Sequence, residues 1–328
     1  MTCAGTIPTC LEAAALVTIG FCAGTAGSFF GVGGAFLVTP ALNTLGFPMV
    51  RAIGTDLAHI TGKSIAATLR HRRLGHVDWK AGGLLLLGTL PGIKLGTAAV
   101  MTLERAGLAE SVLRCVYILL LGVVGALTLR ESLTSRDDTE AKAAGAILRK
   151  RFPIGPFVCL RTSGIQSISL WSVVLLGLTA GFLSSLLGVG GGFILMPAMI
   201  YLLGMPTRVA VGTDLLGVVF SGGYGTFLYA REGRVDVLAA LIMLLGAAAG
   251  SQIGAVATKY AQPRRIRLYL ALTILGAGGA VAAKQLGATA LSAGILFALG
   301  LSLSGVIIYT LIDGQQQEDM KDGNRRNE

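Results

Sequence analysis

Two stretches of the chain, Ala81 to Met101 and Val235 to Val256, stay apolar over the ~20 residues a helix needs to cross a ~30 Å bilayer core. A soluble core helix would interrupt such a run with a polar face every three or four residues. No such face recurs here, so the chain is directed into a membrane. Charge agrees: 13% of residues are charged, against about 25% in soluble domains. The 47 glycines sit inside the apolar runs, where small residues let helix backbones approach closely. A compact helical bundle is expected.

The chain is also duplicated. Gly31 to Pro40 reads GVGGAFLVTP, and Gly188 to Pro197 reads GVGGGFILMP. After a one-residue adjustment, Gly54-Thr55-Asp56-Leu57 recurs as Gly212-Thr213-Asp214-Leu215. Gly75-x-Val77-Asp78 recurs as Gly233-x-Val235-Asp236, and Gly88, Gly92 and Gly96 recur as Gly246, Gly250 and Gly254. The spacing predicts five segments per copy. In the first copy they are 11–30, 34–47, 50–70, 80–102 and 108–130. In the second they are 168–187, 192–205, 208–228, 236–257 and 265–283, and a final span follows at 288–311. Residues 1–130 then form a first transmembrane repeat, 131–167 a charged cytoplasmic linker, 168–284 the second repeat, 285–312 the last span and 313–328 a cytoplasmic tail.

The second segment of each copy is short, contains Pro40 or Pro197 and follows a glycine run. With the segment before it, it reads as a broken helix hairpin, crossing or re-entrant, that returns to its starting side. Each copy then makes an odd number of net crossings, so the two repeats should be inverted. The basic residues agree. With the 70–80 loop placed inside, nineteen Lys and Arg fall inside and six outside, as the positive-inside rule asks. This places the N-terminus outside, with linker and C-terminus cytoplasmic. Trp79 and Trp171 fall at the inner interface. The net charge of +10 is thereby topological and does not point to nucleic acid. The fold class is all-α and polytopic. No cleavable signal peptide is expected, because the first stretch lacks a basic start.

Lys63 and Lys94 remain inside predicted spans, where a lysine is costly and marks function. Their repeat counterparts are Ser221 and Gln252, and His59 aligns with Gly217. One copy has gained positive charge, which fits an asymmetric pocket for a small anion. Pairing with Asp56 or Asp214, or snorkelling to an interface, competes with that role. Asp56, His59 and Lys63, spaced by three and four, share one helical face and could relay a proton, with Asp214 as a further carrier. Asp56 beside Thr55 reads equally as a helix N-cap, and that reading is favoured because the pair recurs.

The glycine runs Gly31, Gly33, Gly34 and Gly188, Gly190, Gly191 are not nucleotide loops, since no Gly-Lys-Ser/Thr follows. They suit unwound points whose free N–H groups meet an anion, or close packing alone. Thr55, Thr213, Ser221 and Gln252 would complete the shell. Five cysteines without CxxC spacing and three histidines leave no metal site. Cys3 and Cys10 are read as ordinary thiols, a pairing being the alternative. No nucleophile arrangement or paired carboxylate supports an enzyme, and no cofactor is expected.

These residues resemble the sulfite exporter TauE/SafE family. The likeness runs through Ala23 to Gly27, Gly31 to Gly34, Pro40, Gly54 to Asp56 and Gly75 to Asp78, and again from Gly181 to Asp236. It covers about residues 11 to 311. The long charged linker and extended tail depart from the family. The resemblance implies movement of small sulfur-containing anions such as sulfite, sulfonates, sulfoacetate or thiosulfate. A secondary transporter working in export is therefore expected, in contact with membrane lipid and with a homo-oligomer left open. The alternatives are an anion channel or a non-transporting membrane partner.

Overall fold

A computed structural model of the chain describes residues 9–31, 34–134, 155–160, 162–188 and 190–327. Among them are eleven helices and one short β-hairpin. The first copy supplies α1 (Cys10–Phe30), α2 (Ala35–Thr44), α3 (Met49–Arg73), α4 (Trp79–Arg105) and α5 (Ala109–Thr134). Strands β1 (Phe157–Leu160) and β2 (Ile165–Ser169) follow. The second copy supplies α6 (Leu170–Leu187), α7 (Gly192–Tyr201), α8 (Thr207–Arg231), α9 (Val237–Tyr260) and α10 (Pro263–Gln285), and α11 (Thr289–Asn327) closes the chain. Seven helices are long and apolar enough to cross a membrane: α1, α4, α5, α6, α9, α10 and α11.

Local chemistry sets the boundaries. Thr9 caps α1 in a reciprocal box with Glu12, and Asp78 and Asp236 cap α4 and α9 by accepting from backbone N–H groups of the first turn. Helices α3 and α8 begin directly after Pro48 and Pro206. The hairpin breaks fall on the glycine runs. Gly31 and Gly188 end α1 and α6 at φ 78° and 75°, and Gly34 and Gly191 open α2 and α7 at φ 70° and 92°. That left-handed region is strained for any side chain. Helices α2 and α7 have 10 residues each, about 15 Å of rise, so they are half-helices.

The helices pair across the copies. The most extensive contacts are α1 with α9 and α4 with α6, followed by α5 with α10 and α3 with α8. Exchanging the copies turns α1–α9 into α6–α4 and leaves α5–α10 and α3–α8 as they are. The first two pairs are parallel glycine ladders. A Cβ placed on Gly246, Gly250 or Gly254 would lie 2.1–2.3 Å from the carbonyl oxygens of Val17, Phe21 and Thr25 in turn. A Cβ on Gly88, Gly92 or Gly96 would meet those of Val174, Leu178 and Phe182 at 1.9–2.5 Å. Only hydrogen fits there, so backbone packs on backbone.

Helices α3 and α8, 25 residues each, are long enough to cross a bilayer but carry too many polar groups to count among the apolar spans. They lie against each other in the interior. Gly54 near the start of α3 abuts the Arg234 carbonyl in the loop after α8, and Gly212 near the start of α8 abuts the His76 carbonyl in the loop after α3. The two helices are therefore antiparallel.

Two features go beyond the sequence reading. The far end of the linker is folded: β1 and β2 pair antiparallel, Ser163 donates to Asp78 at 2.6 Å and Lys80 to the Cys159 carbonyl at 2.9 Å. The last helix also continues past the expected span to Asn327, where Glu318 accepts from Lys259 and from the Tyr260 hydroxyl, each at 2.8 Å. Cys3 and most of the charged linker lie outside the described residues.

Candidate functional site

The polar face of α3 forms the centre of the molecule. Asp56, His59 and Lys63 are 0%, 1% and 2% exposed, at successive turns of one helix. Thr39 on half-helix α2 donates to Asp56 Oδ2 at 2.8 Å, and His59 Nδ1 lies 3.4 Å from Asp56 Oδ1. Lys63 Nζ donates to the Ala23 carbonyl on α1 at 3.0 Å, and a Cβ on Gly34 would stand 3.0 Å from the same nitrogen. The ammonium thus sits at the tip of the first glycine hairpin. Tyr117 on α5 closes the other side by donating to the Leu187 carbonyl at 2.5 Å, where the second hairpin breaks.

This arrangement corrects the capping assignment. Asp56 and Asp214 lie well inside helices that begin at Met49 and Thr207, and the capping is done by Asp78 and Asp236 instead. The prolines ahead of α3 and α8 were the better start signal.

The threonines beside those aspartates have a structural partner. Thr55 accepts from the backbone N–H of Asp236, and Thr213 from that of Asp78, both at 2.9 Å. Each copy's helix holds the other copy's loop. Ser221, expected in the anion shell, donates to the Gly190 carbonyl at 3.0 Å. The amides of Gly31 and Gly188, expected to meet an anion, instead bond to the Gly27 and Ser184 carbonyls at 2.9 and 2.7 Å, closing α1 and α6. Gly34, Gly190 and Gly191 are buried in the breaks, and Gly33 lies outside the described residues.

Lys63 is not among the residues that line the pocket at Lys94. Lys94 is exposed on α4 and lines an open cleft of about 320 Å³ between α4 and α8. Arg105, Arg231 and Glu232 line it too, with Thr97 on its wall, so three cations face one carboxylate. Thr97 also shares a hydrogen bond of 2.7 Å with Ser185, next to the second hairpin. Gln252, the counterpart of Lys94, is exposed on α9. Asp214 is 2% exposed, and neither carboxylate oxygen has a hydrogen-bond partner among the described residues.

Sequence reasoning missed Thr39, Tyr117 and the arginines of the cleft. Thr39 carried a usable signal, because its repeat counterpart is Met196, the kind of asymmetry that singled out Lys63. Tyr117 carried none. Among the described residues no group of three or more His, Cys, Asp or Glu could hold a metal ion.

A multi-pass helical bundle, with ionisable groups enclosed along an internal helix pair and a basic cleft beside it, is the build of a membrane transporter. Comparison with known proteins gives the particular kind. The chain belongs to the sulfite exporter TauE/SafE family, whose model matches residues 16–281. A "Probable membrane transporter protein" of Xylella fastidiosa (strain 9a5c) is 31% identical over 258 residues, covering 76% of this chain and 88% of the relative. One from the Temecula1 strain of that species is 32% identical over 245 residues, covering 73% and 83%. "Probable membrane transporter protein YunE" of Bacillus subtilis (strain 168) is 29% identical over 269 residues, covering 79% and 93%. This is a transporter family, not an enzyme family. No solved structure matches the chain.

Proposed function

We propose that this protein is a secondary transporter that moves a small anion, a sulfur oxyanion or organosulfonate such as sulfite, thiosulfate or sulfoacetate, out across the cytoplasmic membrane. The observation that carries the reading is the cleft between α4 and α8, where Lys94, Arg105 and Arg231 outnumber Glu232 and Thr97 leads from the wall to the second hairpin. Lys63 stands deeper, at the tip of the first hairpin, as a second stop for negative charge. The family's description as sulfite exporters supports the substrate class.

In this reading the two copies are inverted repeats, with α1–α2 and α6–α7 as broken hairpins at the midplane. The antiparallel contact of α3 with α8 and the exchange of pairings between copies support it. The N-terminus faces outward, and the linker and C-terminus lie in the cytoplasm. With the interior negative, efflux of an anion is downhill by about 2.3 kcal/mol per charge per 100 mV. Uptake would require coupling, for which Asp56, His59 and Asp214 are the candidate carriers.

The test is flux in proteoliposomes loaded with labelled sulfite, thiosulfate or sulfoacetate, against a cationic control, with and without an imposed potential. Saturable anion flux that falls at least tenfold in Lys94→Gln, with the fold intact, is the expected result. Flux indifferent to Lys94 removes the cleft from the pathway, no anion flux removes the transporter reading, and ohmic single-channel current would make the protein a channel.

A further inference from the structure

The two copies treat their equivalent aspartates differently. Asp56 accepts from Thr39 at 2.8 Å, has His59 at 3.4 Å and shares a helical face with Lys63. The positions that would supply those groups to Asp214 hold Met196, Gly217 and Ser221, and the Ser221 hydroxyl is committed to the Gly190 carbonyl. The second copy carries the carboxyl with no donor from these positions directed at it.

The neighbouring elements do not make up the deficit. Helix α8 packs against α3, α4, α7 and α1. Their ionisable groups include Asp56, His59, Lys63 and His71 on α3, Asp78 capping α4 and Lys94 on it, and Glu12 and Cys22 on α1. Helix α7 offers none among its described side chains. None of these hydrogen-bonds to either Asp214 oxygen, and no ion pair involves Asp214 among the described residues. An ionised carboxylate enclosed without a donor costs far more than the neutral acid does. A hard metal cation would need several oxygen ligands, and the equivalent positions offer a thioether and a bare glycine.

We propose that Asp214 is the proton carrier of this transporter. It takes a proton on a carboxylate oxygen from water on one side of the membrane, crosses the closed state as the neutral acid, and releases the proton to water on the other side. Asp56, matched by its own donors, stays in place as part of the internal polar face. The inference rests on the transporter reading above and names the coupling ion that reading leaves open.

The experiment uses the full-length protein in vesicles containing a pH-sensitive dye, with thiosulfate as probe because its anion carries no proton at neutral pH. Wild type should move protons with thiosulfate. Asp214→Asn should still exchange labelled for unlabelled thiosulfate while its thiosulfate-driven proton flux falls at least tenfold. Undiminished proton flux in Asp214→Asn, or thiosulfate flux without protons in wild type, overturns the proposal and leaves the transporter standing. If thiosulfate does not move at all, that transport reading fails for this anion, and infrared spectroscopy decides the proposal separately. The carbonyl stretch of a protonated carboxylic acid should be present at neutral pH and lost in Asp214→Asn. Its absence from wild type overturns the proposal. Met196→Thr, which installs the hydroxyl that Asp56 enjoys, should lose the same band with the carboxyl still present, and it carries the test if Asp214→Asn does not fold.

Discussion

Thr55 and Asp236 are 181 positions apart and meet through a single hydrogen bond of 2.9 Å, from the backbone N–H of Asp236 to the hydroxyl of Thr55. Thr213 and Asp78 repeat the bond at 2.9 Å in the opposite sense. Together they fasten the start of each inner helix to the loop after the other. Thr55→Val keeps the volume and leaves a backbone N–H without its acceptor, which costs about 1–3 kcal/mol. Thermal unfolding in detergent should show a loss of that size for Thr55→Val and for Thr213→Val, with Thr55→Ser close to wild type.

The glycine ladders predict a sharper contrast. A Cβ on Gly250 would stand 2.3 Å from the Phe21 carbonyl oxygen, and one on Gly92 stands 2.3 Å from that of Leu178. Gly83, five residues before Gly88 on the same helix, has open space around it. Gly250→Leu and Gly92→Leu should abolish monodisperse protein in size-exclusion chromatography. Gly83→Leu should elute as wild type does.

The buried face of α3 predicts strong coupling between its charges. Asp56 and Lys63 are enclosed together, and removing one partner leaves the other without its countercharge, at a cost of about 3–5 kcal/mol. Asp56→Asn and Lys63→Met should each destabilise, and the double variant should lose about 1–3 kcal/mol less than their sum. Strict additivity in the thermal data would mean that the two groups do not interact.

How much of this was legible beforehand depended on what signal each feature left. Apart from the last helix, which runs on to Asn327, the helices lie within a few residues of the expected segments because long apolar runs have few other outcomes in a bilayer. The breaks at Gly31 and Gly188 were legible because Gly-x-Gly-Gly recurs with a proline six residues on, whereas Gly276-Ala277-Gly278-Gly279, without one, stays inside α10. The role of Asp56 was misread because a Thr-Asp pair resembles a capping signal, whereas Pro48 sets the start of α3. The latch at Thr55 left no sequence trace, because its acceptor serves a backbone N–H that every non-proline residue has. The hairpin at Phe157 to Ser169 was hidden in a stretch read only for its charge. Lys63 and Lys94 fall within helices α3 and α4, but their separation into an interior face and an open cleft depends on helix rotation, which only packing settles.

The loop between α3 and α4 carries a pH prediction. Burial, with the Arg208 guanidinium nearby, holds the His76 imidazole below its ordinary range. The unfolded chain therefore binds the proton more readily than the folded one, and stability is full above the unfolded value of about 6.5 and falls as pH drops below it. Melting temperatures in detergent should decline from about pH 8 to about pH 5, and His76→Gln should flatten part of that slope.

The glycine faces also have a consequence in time. Helix α1 finds its mate in α9, most of the chain later, and synthesis at about 5–20 residues per second separates their emergence by roughly ten seconds or more. Throughout that interval the first helix stands in lipid with a strip of bare backbone facing outward and nothing of its own copy to cover it. The newborn first half is thus an unfinished object that depends on its sibling for closure.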